Sequence, residues 1–282
     1  MVSLSDSSGS NGVAGPVTII GFPYDASSSY QRGAAEAPAA IRRALYCDSS
    51  NLWTESLRDV GAMLVQDGGD LECGDPAATR AAIEAAISAI VAAGRRPLSL
   101  GGDHSITYPI MRAVGRRWPG LTLLHFDAHP DLYDELDGDR FSHACPFARI
   151  LEEGLVSRLV QIGIRTMNAK QMTQVERHGV EVIPMRDWRD ELVLSIEGPV
   201  YVSLDLDVLD PAFAPGISHP EPGGASVRQL LNAVQHLEAP IVGADLVEYN
   251  PRNDLRNLTG MVCAKLVKEL LDRMMRETGG NC

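Results

Sequence analysis

Aromatic residues, clusters of basic residues and long hydrophobic runs are all scarce in this sequence of 282 residues. Phe, Trp and Tyr together make up 5% of it, and no apolar run approaches the roughly 18 residues that a membrane-spanning helix needs. Acidic residues outnumber basic residues 37 to 25, and the formal net charge is −12. Because an acidic surface repels the phosphates of nucleic acids, we do not expect a nucleic acid as a partner. Because no apolar run is long enough to span a bilayer, we do not expect a membrane as a partner either.

Cysteine is also scarce, and its pattern argues against a disulfide framework or a zinc knuckle. The cysteines are scattered, odd in number and form no CxxC pair: Cys47, Cys73, Cys145, Cys263 and Cys282. Reduced thiols of this kind are typical of a cytosolic protein. Residues 1–15 are small and polar, and they lack the basic start and apolar centre of a secretion signal. We therefore expect a flexible leader over residues 1–15 and a cytoplasmic location.

Short apolar segments alternate with helical patterns along the rest of the chain. The predicted strands are Val17–Gly21, Pro97–Leu100, Leu121–Asp127, Leu159–Gly163, Val180–Ile183, Val200–Leu206 and Ile241–Asp245. The predicted helices are Ala77–Ala93, Ile106–Val114, Ser226–Leu237 and Thr259–Glu277. Several strands are almost continuously apolar, as expected when helices cover both faces of a parallel sheet. The pattern predicts an α/β fold with a mostly parallel sheet, and one domain over residues 16–282.

Carboxylates and imidazoles follow four of the predicted strands, at the point where each strand ends. In parallel α/β sheets, ligands bind in the loops at these carboxyl ends. The residues concerned are Asp103, His104, Asp127, His129, Asp131, Asp205, Asp207, Asp245 and Glu248. Four separate segments of the chain are therefore predicted to converge on one site.

Six of these residues form a candidate site for two metal ions: His104, Asp127, His129, Asp131, Asp205 and Asp207. Asp205 and Asp207 are two apart on an apolar strand, so both point to one face, where two buried carboxylates are costly without a cation. Oxygen dominates the set and sulfur is absent, which favours two Mn²⁺ ions per chain, with Ni²⁺ or Co²⁺ as alternatives. Two ions about 3.5–4 Å apart can lower the pKa of a shared water, so hydrolysis would need no Ser or Cys nucleophile.

Four motifs resemble those of the ureohydrolases, the family of arginase and agmatinase. They are GGDHS at 101–105, DAHPD at 127–131, SLDLDVLDP at 203–211 and EPGG at 221–224. The similarity extends from Ile19 to Glu269 and implies a three-layer αβα sandwich, Mn²⁺ as the metal, and a trimer or hexamer of identical subunits. It also implies that one ion is held by His104, Asp127, Asp131 and Asp205, and the other by Asp127, His129, Asp205 and Asp207.

The resemblance further implies hydrolysis of a small guanidino compound with release of urea, and it suggests catalytic roles. Asp207 would pass a proton towards the leaving amine. Glu248 matches the family's guanidinium-binding glutamate, and His143, in Phe141–Ala144, matches the histidine assigned to proton transfer. The alternatives are a surface salt bridge for Glu248 and an ordinary loop hydrogen bond for His143. Asp103 is expected to orient an imidazole.

The substrate is harder to predict than the reaction. The Asn/Thr/Ser loop with which animal arginases hold arginine is absent, and Asn168 stands where they carry a later aspartate. The loop instead contains four acidic residues, Asp134, Glu135, Asp137 and Asp139, which favour an amine tail and hence agmatine, giving putrescine. The alternative is L-arginine, because DLYDELDGDRFSHA and PAFAPGISH resemble plant arginases. Guanidinobutyrate, guanidine and guanylurea stay open as well, and so does the role of Cys145.

Two other classes of protein fit part of the pattern. A deacetylase-like hydrolase on the same kind of sheet would use one zinc ion and fewer aspartates. A binding protein without activity would be expected to have lost ligands, whereas the set here has none missing. A two-metal ureohydrolase is the interpretation that accounts for all six residues.

Overall fold

The computed structural model describes residues 16–189, 192 and 194–276. The leader predicted over residues 1–15 lies outside the described residues, as do Cys282 and the last residues of the predicted domain. The division into a leader and one domain therefore stays a prediction. Among the described residues, no helix combines the length and the apolar character needed to cross a membrane.

A single sheet of eight parallel strands forms the middle of the molecule. The strands are β1 (Val17–Gly21), β2 (Val65–Asp70), β3 (Arg96–Leu100), β4 (Thr122–Phe126), β5 (Arg158–Ile164), β6 (Glu181–Pro184), β7 (Val200–Asp205) and β8 (Ile241–Val247). Their order across the sheet is β2-β1-β3-β8-β7-β4-β5-β6, and every pairing between them is parallel. The predicted α/β class with a mostly parallel sheet is confirmed.

Helices cover both faces of the sheet. They are α1 (Ala37–Leu45), α2 (Pro76–Ala92), α3 (Thr107–Arg117), α4 (Pro146–Glu152), α5 (Ala169–His178), α6 (Val227–Gln235) and α7 (Leu258–Met274). One hydrophobic core contains side chains of α1, α6 and α7, and a second core on the other face contains side chains of α2, α3 and α4. Adjacent strand residues alternate between the cores: Val202 packs in the first and Tyr201 in the second.

Several elements were not predicted from the sequence. Strand β2 has the sequence VQDGGD and is mostly exposed at the edge of the sheet, so it lacks the apolar run that marks the central strands. Helix α5 is polar, but its limits are well defined. Asn168 and Gln171 form a capping box at its start, and Gly179 adopts a left-handed conformation at its end. Helices α1 and α4 were also missed, and both are short.

The strands that carry the candidate ligands are neighbours. Strands β3, β8, β7 and β4 lie side by side in the middle of the sheet, so their carboxyl ends meet at one edge. The loop after β3 approaches the chain after β1 closely, because Asp103 N donates to the carbonyl oxygen of Tyr24 at 2.9 Å. A Cβ atom at Gly102 would lie 1.8 Å from that same oxygen. Glycine at this position is therefore a steric requirement of the loop that carries His104.

This contact predicts a difference between two glycine substitutions. We expect Gly102→Ala to lower the free energy of unfolding by about 1–3 kcal/mol, because backbone atoms of Tyr24 must move to admit the methyl group. Gly74 has open space around its Cβ position, so Gly74→Ala should change stability by less than about 0.5 kcal/mol. Denaturant unfolding of both variants measures the difference. Equal stability would show that the loop relaxes without cost.

Candidate metal centre

His104 is the centre of the first group of candidate ligands. Its Nδ1 atom lies 3.2 Å from an oxygen of Asp127 and 3.1 Å from oxygens of both Asp131 and Asp205. The side chain is fully buried, yet Nδ1 makes no hydrogen bond of acceptable geometry with any of them. One nitrogen and three carboxylate oxygens thus converge on a common point.

The other nitrogen of His104 fixes the tautomer of the neutral ring. Nε2 lies 3.0 Å from Ser203 Oγ, and that hydroxyl donates its only proton to Asp245 Oδ1 at 2.7 Å. Ser203 can therefore only accept from His104, which places a proton on Nε2, so that the neutral ring has its lone pair on Nδ1. Asp245 is held in turn by the hydroxyls of Thr107 and Tyr201. The network presents Nδ1 as a ligand atom.

The second group consists of Asp127, His129 and Asp207. His129 Nδ1 lies 2.9 Å from Asp207 Oδ2 and 3.4 Å from Asp127 Oδ1. The remaining oxygen of Asp207 accepts from the backbone N–H of Ala128 at 3.0 Å, and Asp205 Oδ1 accepts from Asp207 N at 2.8 Å. Because Asp127 faces both groups, the two are adjacent.

The carboxylates of this cluster repel one another and favour a positive charge on the neighbouring imidazole. Burial, together with the neighbouring carboxylates, raises the pKa of Asp207 to about 6 and raises that of Asp205 well above its ordinary value. Burial disfavours a charged His129, but Asp207 and Asp127 outweigh it and raise the pKa of His129 to about 12. Positive charge at the centre is therefore strongly favoured. The available lone pair, the excess of oxygen atoms and the negative field all fit divalent cations.

His125 takes part in the site but was not assigned a role from the sequence. Its Nδ1 accepts from the amide of Gln161 at 3.0 Å, so its Nε2 carries the proton and donates to Asp127 Oδ2 at 2.6 Å. The ring stacks on Phe147 at a centroid distance of 3.8 Å. Its position two residues before Asp127 on β4, hence on the same face, is the signal that could have identified it.

Glu248 lies beside this cluster in an unusual backbone conformation. Its φ angle is +63°, in the left-handed region that residues other than glycine rarely adopt. Oε1 accepts from the backbone N–H of His104 at 2.9 Å and lies 3.3 Å from His143 Nδ1. Oε2 is buried and has no hydrogen-bond partner among the residues that the structure describes. Although burial opposes the charged ring, the contact with Glu248 raises the pKa of His143 to about 9.

His219 is a second site residue that sequence reasoning missed. Its ring stacks on that of His143 with a centroid distance of 4.7 Å and an interplanar angle of 27°. Ser29 Oγ lies 2.8 Å from His143 Nε2 and 3.5 Å from His219 Nε2. The sequence feature that could have identified His219 is its place at the end of PAFAPGISH, a segment that resembles plant arginases.

Asp103 does not act as expected. It accepts hydrogen bonds from Ser27 N and from the backbone and hydroxyl of Ser105, and it contacts no imidazole. Its carboxylate instead ties the loop after β3 to the loop after β1. The side chain that orients His104, through Ser203, is that of Asp245.

A cavity of about 270 Å³ opens onto these groups. Its lining includes Ser29, His129, Asp131, Tyr133, Leu136, His143, Thr166, Asn168, Asp205, Asp207, His219 and Glu248. The loop of residues 132–141 contributes Tyr133 and Leu136, whereas its acidic residues Asp134, Glu135, Asp137 and Asp139 are exposed and do not line the cavity. Cys145 is buried outside the cavity, and burial raises the pKa of its thiol to about 12.

The sequence and the fold are similar to those of known hydrolases. The family model described as Arginase family matches residues 16–272. A mitochondrial arginase of Medicago truncatula is 44% identical over 94% of this chain and 84% of its own length. An agmatinase of Neisseria meningitidis is 38% identical over 90% of this chain and 85% of its own length. The solved structure of arginase from Medicago truncatula has a TM-score of 0.86 and 39% identity, covering 94% of this chain and 89% of that one.

These findings bear on the expectation about the substrate. The plant arginase is more similar to this chain than the agmatinase is, so the comparisons favour the arginine alternative over agmatine. The acidic loop, on which the agmatine interpretation depends, has carboxylates that are exposed and do not line the cavity.

The prediction of a cytoplasmic location is wrong, because similar relatives include arginases named as mitochondrial or as chloroplastic and mitochondrial. That prediction used the absence of a secretion signal and of disulfide spacing. Neither feature addresses targeting to an organelle, since transit peptides are amphipathic and lack a long apolar centre.

The Ser203 network predicts a specific loss of metal affinity. We expect Ser203→Ala to weaken the binding of added Mn²⁺ by about 10–100-fold, because the His104 ring loses the acceptor that orients it. Thr107→Val, which removes another donor to Asp245 but leaves the contact with His104, should weaken binding less. Isothermal titration of metal-free protein measures both. Equal losses in the two variants would contradict the role of Ser203 in orienting His104.

Proposed function

The chain belongs to the arginase family, whose members are two-metal ureohydrolases, and from this premise we propose that it hydrolyses L-arginine to L-ornithine and urea. The observation that carries the proposal is the buried, unpartnered oxygen of Glu248 beside the carboxylate and imidazole cluster. A guanidinium group is a planar cation with several N–H donors, and a carboxylate is its natural acceptor. The cavity therefore offers an anchor for the guanidinium next to the site of hydrolysis.

We assign the metal ligands as the resemblance to the family implies. His104, Asp127, Asp131 and Asp205 would hold one ion, and Asp127, His129, Asp205 and Asp207 the other. The convergence of the orphaned Nδ1 of His104 with three carboxylate oxygens supports the first set. The predominance of oxygen supports Mn²⁺ as the metal. When bound, the two ions supply a water molecule activated as a nucleophile near neutral pH. The predicted homo-oligomer stays a prediction.

Three residues of the chain would bind the substrate and transfer protons. Glu248 binds and orients the guanidinium through Oε2, while its Oε1 stays tied to the backbone of His104. Asp207 accepts a proton at Oδ2, because its Oδ1 is occupied by Ala128 N. His143, charged at neutral pH because its pKa is about 9, holds a proton that it can deliver to the leaving amine.

The cavity rim supports arginine in preference to agmatine. Arginine carries a carboxylate beside its amine, and agmatine carries an amine alone. The residues of the rim away from the metal cluster are neutral and include hydroxyl and amide groups, those of Ser29, Tyr133, Thr166 and Asn168. Such groups can donate to a carboxylate without the repulsion that an acidic rim would cause.

Urea release from a panel of guanidines tests the substrate. The Mn²⁺-loaded full chain, offered L-arginine, agmatine, guanidinobutyrate, guanidine and guanylurea separately, should give a kcat/KM highest for L-arginine. We expect kcat/KM for L-arginine to exceed that for agmatine by at least about 100-fold, which is the discrimination that roughly two polar contacts with the carboxylate provide. A preference for agmatine would overturn the proposed substrate. Urea from none of them, with two ions bound per chain, would overturn the guanidinium reaction.

Glu248→Gln tests the proposed anchor. The variant should lose about 10²–10³-fold in kcat/KM, because a buried charged partner of the guanidinium becomes neutral. Its Mn²⁺ content should stay at the wild-type value, since Glu248 is outside the proposed ligand sets. Glu135→Gln makes the same chemical change in the exposed acidic loop and should retain full kcat/KM. Equal activity of the two variants would contradict the anchor.

A further inference from the structure

Three side chains beside the proposed manganese cluster form a separate group of potential ligands. One ring nitrogen each of His143 and His219 and one carboxylate oxygen of Glu248 lie within 4.8 Å of one another. None of the three belongs to the six residues assigned above. All three line the same cavity. The chain therefore offers a third set of converging donor atoms at the place where a substrate would enter.

Glu248 supplies the negative charge of this set. The residue is 3% exposed, and its Oε2 has no hydrogen-bond partner. A buried carboxylate oxygen without a partner is costly, and a cation in the cavity would remove that cost. The positive φ angle of Glu248 shows that the backbone adopts a strained conformation to hold the side chain there.

The two histidines are held in place by each other and by one hydroxyl. Their rings are stacked, and Ser29 Oγ lies near Nε2 of both. His143 is buried, while His219 is partly exposed at the cavity wall. Two imidazoles therefore present their edges towards one carboxylate, with open space on the remaining side for water.

Two imidazoles and one carboxylate are a ligand set typical of zinc. Protein sites with two His and one Glu, completed by water, bind Zn²⁺ in tetrahedral geometry. The proposed manganese cluster differs because four of its six ligands are carboxylates, which suit a harder ion. Tetrahedral zinc ligands lie about 3.4 Å apart, so atoms now within 4.8 Å of one another would need to close by up to about 1.4 Å.

We propose that His143, His219 and Glu248 form a third cation site, at which Zn²⁺ displaces the proton of His143, binds reversibly and blocks the substrate cavity while the two-metal cluster stays loaded. The inhibitory effect rests on the proposed function, because it requires Glu248 to bind the guanidinium. A Zn²⁺ ion bound to this carboxylate would occupy the cavity and repel the guanidinium cation. Zinc and substrate should therefore exclude each other.

Zinc binding without substrate tests the site itself. The full chain is saturated with Mn²⁺ and kept in excess Mn²⁺, and ZnCl₂ is added in the presence of a chelating indicator of known affinity. Metal analysis after gel filtration should give two manganese ions and one zinc ion per chain. X-ray absorption at the zinc edge should report two imidazole nitrogens in the first coordination sphere. Replacement of manganese, with the total staying at two ions, would overturn the proposal.

His219→Phe is the informative variant, because a phenyl ring preserves the stacking on His143 while removing the ligand atoms. Its zinc affinity should fall by at least about 100-fold, because one of the three protein ligands is lost. Its manganese content, compared with that of wild type, reports whether the protein has folded. His178→Phe, in the last turn of α5 and away from the cavity, is the matched control and should bind zinc as wild type does. Equal zinc affinity of His219→Phe and wild type would overturn the site.

Steady-state kinetics distinguish this proposal from the proposed function. Zinc should raise the KM for L-arginine in wild type without changing kcat, and His219→Phe should lose that sensitivity. A zinc ion bound at full stoichiometry that leaves the KM unchanged would overturn the blocking effect, whereas the anchor role of Glu248 is tested separately by Glu248→Gln. The zinc site would then stand on the binding data alone.

Discussion

The mutual repulsion of buried carboxylates at the ends of adjacent strands is the constraint on which the rest of the site depends. Strands β3, β8, β7 and β4 are neighbours, and each of them carries or is followed by a residue of the cluster or of its supporting network. Asp205 and Asp207 have raised pKa values because burial and their neighbours disfavour their charge. Surrounding donors such as Ala128 N and the His125 ring stabilise part of that charge. Cations at the centre would stabilise the remainder.

The sequence allowed the middle of the molecule to be predicted better than its edges. Central strands are apolar on both faces and bear their functional residues at their ends, so periodicity and position identified both the sheet and the six candidate ligands. Supporting residues could not be found this way. Arg165 donates to the backbone carbonyls of Asp207, Leu209 and Glu221, and this contact joins segments 42–56 residues apart. An arginine that binds only backbone oxygens leaves no pattern in the sequence.

The acidic loop shows why composition alone is weak evidence for a substrate. Four carboxylates close in sequence to DAHPD suggested a negative cavity wall. In the structure the turn at residues 136–139 directs them to solvent, with Asp137 and Gly138 both at positive φ, while Leu136 and Tyr133 face the cavity. Side-chain direction in a loop depends on individual backbone angles, which a sequence pattern does not specify, whereas in a strand it follows from alternation.

In the two proposals, Glu248 connects substrate binding with sensitivity to other cations. A guanidinium anchor must stay free of internal partners on at least one oxygen, and Glu248 meets this requirement because His143 and the His104 backbone both contact Oε1. The same free oxygen attracts any cation small enough to enter. Selectivity against metal ions must therefore come from the remaining donors. Here two of those donors are imidazoles, which bind transition metals well, so a cavity suited to a guanidinium is also suited to zinc.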